Sequence, residues 1–546
     1  MIRNDIATLF RQALEAAWDA GDLPRFAVDE VPLEHPRQAD HGDYATTLAL
    51  KHARDARTSP RTIAETLVRH LPAVPFVGRA EVAGPGFINV TLADDWLAQQ
   101  VETIRAAGDA WGHVDIGHGI KAQVEFVSSN PTGPLTVGHG RGAAIGDTLA
   151  HLLTAAGYDV TREYYFNNAG RQMTVLGDSV RLRYLELLGQ PIDFPADYYQ
   201  GDYIIDIAQR VLDEHGEGLT GATDVTVFKE TAERLIFAEI QETLQRLGIV
   251  FDVYYNEDDL YETGKVWDTL DALRARGYIY DEDGAAWFRT TEFGTEEDRV
   301  VVKSTGEPTY RLPDIAYHVD KLQRGFQFIV DVLGADHIAA FPDVMRGLQA
   351  LGYPTDDIHL VLNQFITVVR DGQVVKMSTR RANFITLDEL IDEAGADAVR
   401  YLMLARSAES HMEFDLSLAA EQSERNPVYY VQYAHARIAS ILRKAGDVDW
   451  HTGDAALLTH PAELALIRQM LWLPEVVEKA TLELAPHHLP YYAQELATAF
   501  HLFYRDCRVL SDDEALTKAR LKLAATAKAV LARALTLMGV SAPDRM

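Results

Sequence analysis

Thr136-Val137-Gly138-His139, followed by Gly140, Arg141 and Gly142, sets an imidazole among glycines. Glycine lets a backbone approach a ligand closely, and N–H groups at a helix start attract phosphate. An imidazole there can donate to phosphate oxygens whose charge builds up during displacement at an α-phosphorus. A glycine-rich turn with an incidental histidine fits the same residues. A P-loop does not, because GxxxxGK[ST] is absent. A dinucleotide fingerprint fails too, since Ile145 stands where its third glycine belongs. The second candidate is Val375-Lys376-Met377-Ser378-Thr379-Arg380-Arg381, after a hairpin whose turn is Asp371-Gly372. Cations on a mobile loop suit closure on a triphosphate and stabilisation of a pyrophosphate leaving group. A solvated basic hairpin is the commoner fate of such a run.

These motifs need a scaffold, and the chain supplies a parallel-sheet pattern. AQVEFV, from Ala122, reads as a short apolar strand and SSNPTGPLTVGHG as a loop. RGAAIGDTLAHLLTAAG then reads as an amphipathic helix, with Ile145, Leu149, Leu152, Leu153 and Ala156 at helical spacing and a stop at Gly157. VTREYYF is the next strand. Strand, loop, helix and strand open a doubly wound sheet. Strand signals return at VVVK, FQFIVDVL and HLVLNQFITVV, with a helix AAFPDVMRGLQALG between the last two, so the sheet is expected to resume there. Both candidate motifs then sit at the carboxyl ends of parallel strands, where open α/β sheets bind ligands.

Residues 191–270 carry a net charge of −13 and many tyrosines, and read as a solvated insertion. Upstream, a helix to about Asp19, a polar loop HPRQADHGD and a strand-forming EVAGPGFINVTL suggest a small domain. From residue 401 the pattern is almost purely helical. The expected architecture is α/β: a Rossmann-like parallel-sheet catalytic domain with insertions at 111–400, an N-terminal α+β domain at 1–110 and an all-α C-terminal domain at 401–546.

The 546 residues are 47% hydrophobic and 24% charged, a composition of folded protein and not of disordered or fibrous sequence. The net charge of −30 opposes bulk attraction to phosphate polymers or anionic membranes. Residues 401–546 hold only −3 of it, so that part is compatible with a localised RNA-facing surface. The single cysteine, Cys507, excludes an intrachain disulfide and a cysteine zinc finger. His487-His488 and the other histidines show no zinc-ligand spacing, and no protein-held metal is expected. With no long apolar run and no signal-peptide pattern at MIRNDIATLF, a soluble cytoplasmic protein is expected.

TVGH and KMS resemble the HIGH and KMSKS signatures of class I aminoacyl-tRNA synthetases. EFVSSNPTGPLTVGHGRGAAIGD, REYYFNNAGRQM, YRLPDIAYH, GADH, KMSTRRANFITLDEL, NPVYYVQYAHARI and LMGVSAPDRM narrow the resemblance to bacterial arginyl-tRNA synthetases. HGDYATTLAL and AGPGFINVTL are similar to that family's N-terminal domain, so the resemblance runs along essentially the whole chain. It implies activation of L-arginine by ATP to arginyl-adenylate and transfer to the 3′ end of tRNA-Arg. It also implies that arginine activation requires bound tRNA. Mg2+ is expected with ATP from phosphate chemistry, and zinc, flavin and nicotinamide are not. The expected partners are tRNA-Arg, arginine and ATP, with no DNA and no membrane, and the chain is expected to act as a monomer.

Carried over position by position, Glu125, Ser128, Asn130, His139, Tyr310, Asp314 and His337 would bind arginine. A carboxylate can grip guanidinium in a fork that lysine cannot imitate, although Asp314 also fits a helix cap after Pro313 and His337 a structural histidine. Gly138, His139, Gly140, Asp336, Lys376 and Met377 would bind ATP, and Thr136, His139, Lys376, Ser378 and Arg380 would serve catalysis. Arg425, Tyr429, Tyr433 and Arg437 would contact tRNA, the tyrosines offering stacking faces for unpaired bases, while an aromatic stripe of this kind also fits core packing. Two positions depart from the family signatures. Thr136 replaces the first histidine, and Thr379 replaces the second lysine, leaving Lys376, Arg380 and Arg381 as cations. Two rivals follow: a small-molecule nucleotidylyltransferase, whose members lack the long helical domain, and a non-catalytic tRNA-binding protein.

Overall fold

The computed structural model describes residues 1–36, 38–168, 170–375 and 385–546, with the backbone alone for Ala39, Asp336 and His337. The chain opens with α1 (Ile2–Asp19), β1 (Tyr44–Thr46), α2 (Leu48–Lys51), α3 (Pro60–His70), β2 (Val77–Ala83), β3 (Phe87–Leu92) and α4 (Asp94–Ala107). In α1, Ile6, Phe10, Ala13, Leu14 and Ala17 fall on one face and are buried. Ser59 caps α3 by accepting the Thr62 N–H, with Pro60 at the first helical position. In β3, buried Ile88, Val90 and Leu92 alternate with less buried residues, and the strand pairs antiparallel with both β1 and β2.

Next come β4 (Lys121–Phe126), α5 (Val137–Ala155), β5 (Asp159–Phe166), α6 (Gly170–Leu187), α7 (Asp202–His215), α8 (Thr226–Arg246), β6 (Val253–Asn256), α9 (Glu257–Glu262) and α10 (Lys265–Ala275). A small antiparallel sheet follows, β7 (Ile279–Glu282), β8 (Ala285–Phe288) and β9 (Arg299–Val302). Then α11 (Arg311–Gln323), β10 (Phe328–Gly334), α12 (Phe341–Ala350) and β11 (Ile358–Asn363) complete the main sheet. Its order is β11-β10-β4-β5-β6, with every pairing parallel. The chain winds outward from β4 in both directions. That switch opens a crevice at the carboxyl ends of β4 and β10.

The remaining elements are β12 (Ile366–Arg370), β13 (Gln373–Val374), α13 (Leu387–Ala394), α14 (Ala396–Leu404), β14 (Met412–Asp415), α15 (Leu416–Ala419), α16 (Pro427–Ala445), α17 (Pro461–Leu471), α18 (Leu473–Leu482), α19 (His488–Asp506) and α20 (Glu514–Leu537). The last five pack into a helical domain, joined to the N-terminal domain where Asp43 meets Arg468 at 2.6 Å and the Tyr44 hydroxyl donates to Glu475 at 2.7 Å. Among the described residues no helix is long and apolar enough to cross a membrane.

Four expectations need correction. The VVVK signal is a strand, but β9 belongs to the small antiparallel sheet. HLVLNQFITVV splits, because β11 pairs with β10 whereas β12 pairs with β13 and β14. The acidic stretch read as a solvated insertion supplies β6 to the main sheet and buries Ile204, Phe228, Ile236 and Ile240. Finally, α5 is buried nearly all round and not amphipathic, because β4 covers one side while α13, α14 and α18 cover the others. Gly146 shows how close that packing is: a Cβ there would lie 2.2 Å from Phe126.

Candidate active site

The TVGH residues are the start of α5 itself, four residues earlier than its apolar periodicity suggests. Thr136 is the N-cap, in extended conformation, and its N–H donates to His139 Nδ1 at 3.0 Å. A backbone N–H can only donate, so Nδ1 is the acceptor and the neutral ring carries its proton on Nε2. That is the form able to donate to a phosphate oxygen. Gly138 is exposed, and its carbonyl accepts from Asn363 Nδ2 at 3.1 Å, which ties the helix start to the end of β11. Gly140, expected at ATP, is buried, and a Cβ on it would meet Leu387 Cδ1 at 2.6 Å. Its glycine serves the approach of α13.

Arg141 is fully buried and donates to the carbonyls of Gln364, Ser407 and Ser410 at 2.8–2.9 Å. Desolvation lowers its pKa to about 10. It fixes the first turn of α5 against the entry to β12, the strand that leads into the KMS segment.

The loop after β4 is strained at its first residues. Ser128 N–H donates to the Phe126 carbonyl at 2.9 Å across Val127, whose φ is +67°. This is a γ-turn in the left-handed region, which a β-branched residue rarely adopts. Surrounding contacts hold it. Ser128 Oγ donates to Glu125 Oε1 at 2.9 Å and accepts the Tyr165 N–H at 3.2 Å. The Tyr164 hydroxyl donates to the Ser129 carbonyl at 2.7 Å, and Asn130 Oδ1 accepts the Asn167 N–H at 2.9 Å. Strain retained in this way belongs to sites that must present groups in fixed directions.

Beside this loop lies a group of carboxylates. Glu125 Oε2 accepts from buried Lys321 Nζ at 2.6 Å, and the same ammonium reaches Asp331 Oδ1 at 2.6 Å. Glu257 accepts from the Tyr165 hydroxyl at 2.8 Å, and the Tyr165 ring stacks on Tyr317 at 4.4 Å. Asp314 has no side-chain hydrogen bond or ion pair among the described residues. Burial first, and then the nearby Glu257 and Glu125 carboxylates, push its pKa up to about 7 against the pull of His318 and Lys321. Burial likewise raises Glu257. Such a pocket favours a cation with several donors over a neutral or anionic ligand.

Glu125, Ser128 and Asn130 therefore lie at the end of β4 and in the loop after it, with Asp314 facing Glu125, at the carboxyl edge of the sheet from which α5 and His139 also start. Tyr310 is 57% exposed at the N-terminus of α11, with the Arg311 guanidinium over its ring at 4.7 Å. Lys376, Met377, Ser378, Thr379, Arg380 and Arg381, and the side chains of Asp336 and His337, for which roles are expected from the sequence, lie outside the described residues. Sequence reasoning missed Glu257, Lys321 and Tyr165. Asp314, His318 and Lys321 stand at i, i+4 and i+7, one face of the helix after YRLPD, and that spacing could have found Lys321. Glu257 lies within NEDDLYE, where nothing separates it from its acidic neighbours.

On α16, Tyr429 and Tyr433 stack with ring centroids 6.1 Å apart, and Arg437 lies 5.4 Å over Tyr433 and 4.4 Å over Tyr504. Arg425 is exposed and pairs with Glu421 at 3.5 Å.

A Rossmann-like sheet with a TVGH helix start at its switch point and a helical domain beyond defines a class I aminoacyl-tRNA synthetase. Residues 101–440 match the family described as tRNA synthetases class I (R), catalytic domain; residues 4–92 match the arginyl tRNA synthetase N terminal domain, and residues 431–546 the DALR anticodon binding domain. The arginine–tRNA ligase of Salinibacter ruber is 50% identical and that of Desulfotalea psychrophila 47%, each match covering 100% of both chains. The arginyl-tRNA synthetase of Thermus thermophilus has the same fold, with a TM-score of 0.79 at 24% identity over 100% of both chains. The chain belongs to the arginine–tRNA ligase family. It activates arginine with ATP and charges tRNA.

Proposed function

We propose that Asp314 and Glu257 receive the guanidinium of arginine, with Tyr310 closing the pocket mouth. Asn130 and Ser128 hold the α-amino end, and Glu125 shapes the pocket wall. His337 completes this pocket by the family pattern. The observation that carries this reading is Asp314, a carboxylate raised to about 7 with no hydrogen-bond partner among the described residues. A bidentate guanidinium supplies the charge and the donors it lacks.

ATP then lies against Gly138 and His139, with Thr136 fixing the imidazole, and Asp336, Lys376, Met377, Ser378 and Arg380 assigned to nucleotide and pyrophosphate by the family pattern. An arginine carboxylate oxygen attacks the α-phosphorus; the bond to the bridging oxygen breaks and pyrophosphate leaves. The terminal ribose hydroxyl of tRNA-Arg attacks the adenylate carbonyl, and AMP leaves. His139 donates from Nε2 to the charge that develops on phosphate, so rate comes from positioning and charge stabilisation. The described residues at this helix start offer N–H and hydroxyl groups and not carboxylates, so Mg2+ enters on the ATP phosphates.

Arg425, Tyr429, Tyr433 and Arg437 are assigned to tRNA. The chain divides at about residues 110 and 400, and works in the cytoplasm as a monomer that engages neither DNA nor membrane. Asp314→Asn tests the pocket in tRNA-dependent pyrophosphate exchange. The arginine KM should rise by about tenfold or more, the weight of one charge-assisted contact, with the ATP KM unchanged; an unaltered arginine KM would overturn the assignment.

A further inference from the structure

Glu125 is already occupied. Ser128 Oγ satisfies Oε1 at 2.9 Å and Lys321 Nζ satisfies Oε2 at 2.6 Å. Lys321 is fully buried, shares its charge with Asp331 at 2.6 Å, and has the Tyr317 ring 4.3 Å from Nζ. Asp331 also holds His318 Nε2 at 2.9 Å, while His318 Nδ1 reaches back to the Asp314 carbonyl at 2.8 Å. These contacts run from β4 through α11 to β10 and return to the backbone of Asp314. Of Glu125, Glu257, Asp314 and Asp331, only Asp314 has no side-chain partner among the described residues.

We propose that Lys321 is a positioning residue for arginine recognition: by saturating Glu125 and Asp331 it leaves Asp314 as the open carboxylate and holds α11 so that this group faces the cleft. The proposal rests on the reading of Asp314 given above. A buried carboxylate without a cation is costly. Without Lys321, both Glu125 and Asp331 would take up protons or compete with Asp314 for the guanidinium. Charge acts in the same direction. Asp314 is faced by Glu257 and Tyr261 from α9, Glu125 from β4, Tyr165 from β5, and His318 and Lys321 from its own helix. Lys321 opposes the carboxylates in that set, so its loss moves the ionisation of Asp314 to higher pH.

The test is Lys321→Ala in the full chain, assayed by aminoacylation at saturating tRNA with arginine and ATP varied in turn. The arginine KM should rise by about tenfold or more with the ATP KM unchanged, and the pH below which the arginine KM climbs should move upward. Ethylammonium, which can enter the vacated space, should lower the arginine KM of the variant and leave the parent enzyme unaffected. An arginine KM and pH profile like those of the parent would overturn the proposal. If Lys321→Ala does not fold, Lys321→Arg carries the test: a guanidinium cannot reproduce the compact shared contact, so an unchanged arginine KM in that variant overturns it. Asp314→Asn in parallel separates the two claims. No change in that variant removes the pocket reading, whereas a raised KM there with parental behaviour in the Lys321 variants removes this inference alone.

Discussion

Thr136, the cap of α5, forms an antiparallel bridge with Thr386, the cap of α13. Beside it the Leu387 N–H donates to the Leu135 carbonyl at 2.8 Å. Thr386 accepts the Glu389 N–H, and the Glu389 carboxylate accepts the Thr386 N–H at 2.7 Å. Two helix starts are thus fastened together, one bearing His139 and the other following directly on the KMS segment. The helix that carries the TVGH signature and the helix that follows the KMS segment in sequence thus share a backbone contact.

Gly140 is where this joint tolerates least. An added Cβ would stand 2.6 Å from Leu387 Cδ1, and overpacking of this kind costs about 1–3 kcal/mol. Gly140→Ala should lower stability in urea by that amount and reduce turnover more than it raises the arginine KM. Leu387→Ala in the same chain should recover part of the stability, because residues in contact are not additive. A neutral Gly140→Ala would mean that the two helices do not need their close approach.

If Asp314 receives the guanidinium as proposed, the pH dependence of arginine use follows from it. With its carboxyl raised to about 7 in the free enzyme, guanidinium must displace a proton below that pH. The arginine KM should climb by up to about tenfold per pH unit from near 7 downward and level off above it. Stability has the opposite sign. A group raised on folding contributes stability that is fully present below the ordinary carboxylate range and lost as pH rises through 7. The arginine-free enzyme should therefore lose stability as pH rises from about 4 to 7, with little further change above that, and arginine should restore it at the upper end. Asp314→Asn should flatten the KM profile and this part of the Tm profile; persistence of either slope in that variant assigns it to another group.

The parallel sheet was legible because each strand is a short apolar run tied to a loop and a helix, as in AQVEFV through VTREYYF. Pairing partners were not. VVVK looks like any buried strand, and nothing local says that it joins β8 instead of β10. The start of α5 was misplaced because glycines hide a helix, although Thr136 before Val137 is an ordinary cap signal. Asp314 was found through its motif, and Lys321 was one helical face away from it. Glu257 becomes visible only when β5 and β6 bring Tyr165 beside it. A carboxylate within an acidic run gains its meaning from what folds against it.

The tyrosines of α16 give a direct choice between packing and recognition. Val431, Ala434, His435 and Ile438 bury one face of that helix, whereas Tyr429, Tyr433 and Arg437, at i, i+4 and i+8, stay half-buried on another. The near-parallel Tyr429 and Tyr433 rings, 8° apart, leave an aromatic surface next to a guanidinium. A base stacked on such a surface contributes about 1–3 kcal/mol. Tyr433→Ala should then raise the tRNA KM by roughly 5- to 100-fold, with the arginine KM at saturating tRNA unchanged. Arg437→Gln should weaken tRNA binding and reduce its salt dependence, since a phosphate contact releases counterions. A lowered Tm with a tRNA KM within twofold of the parent would instead make the ladder a packing feature and move the tRNA contact to another face of the helical domain.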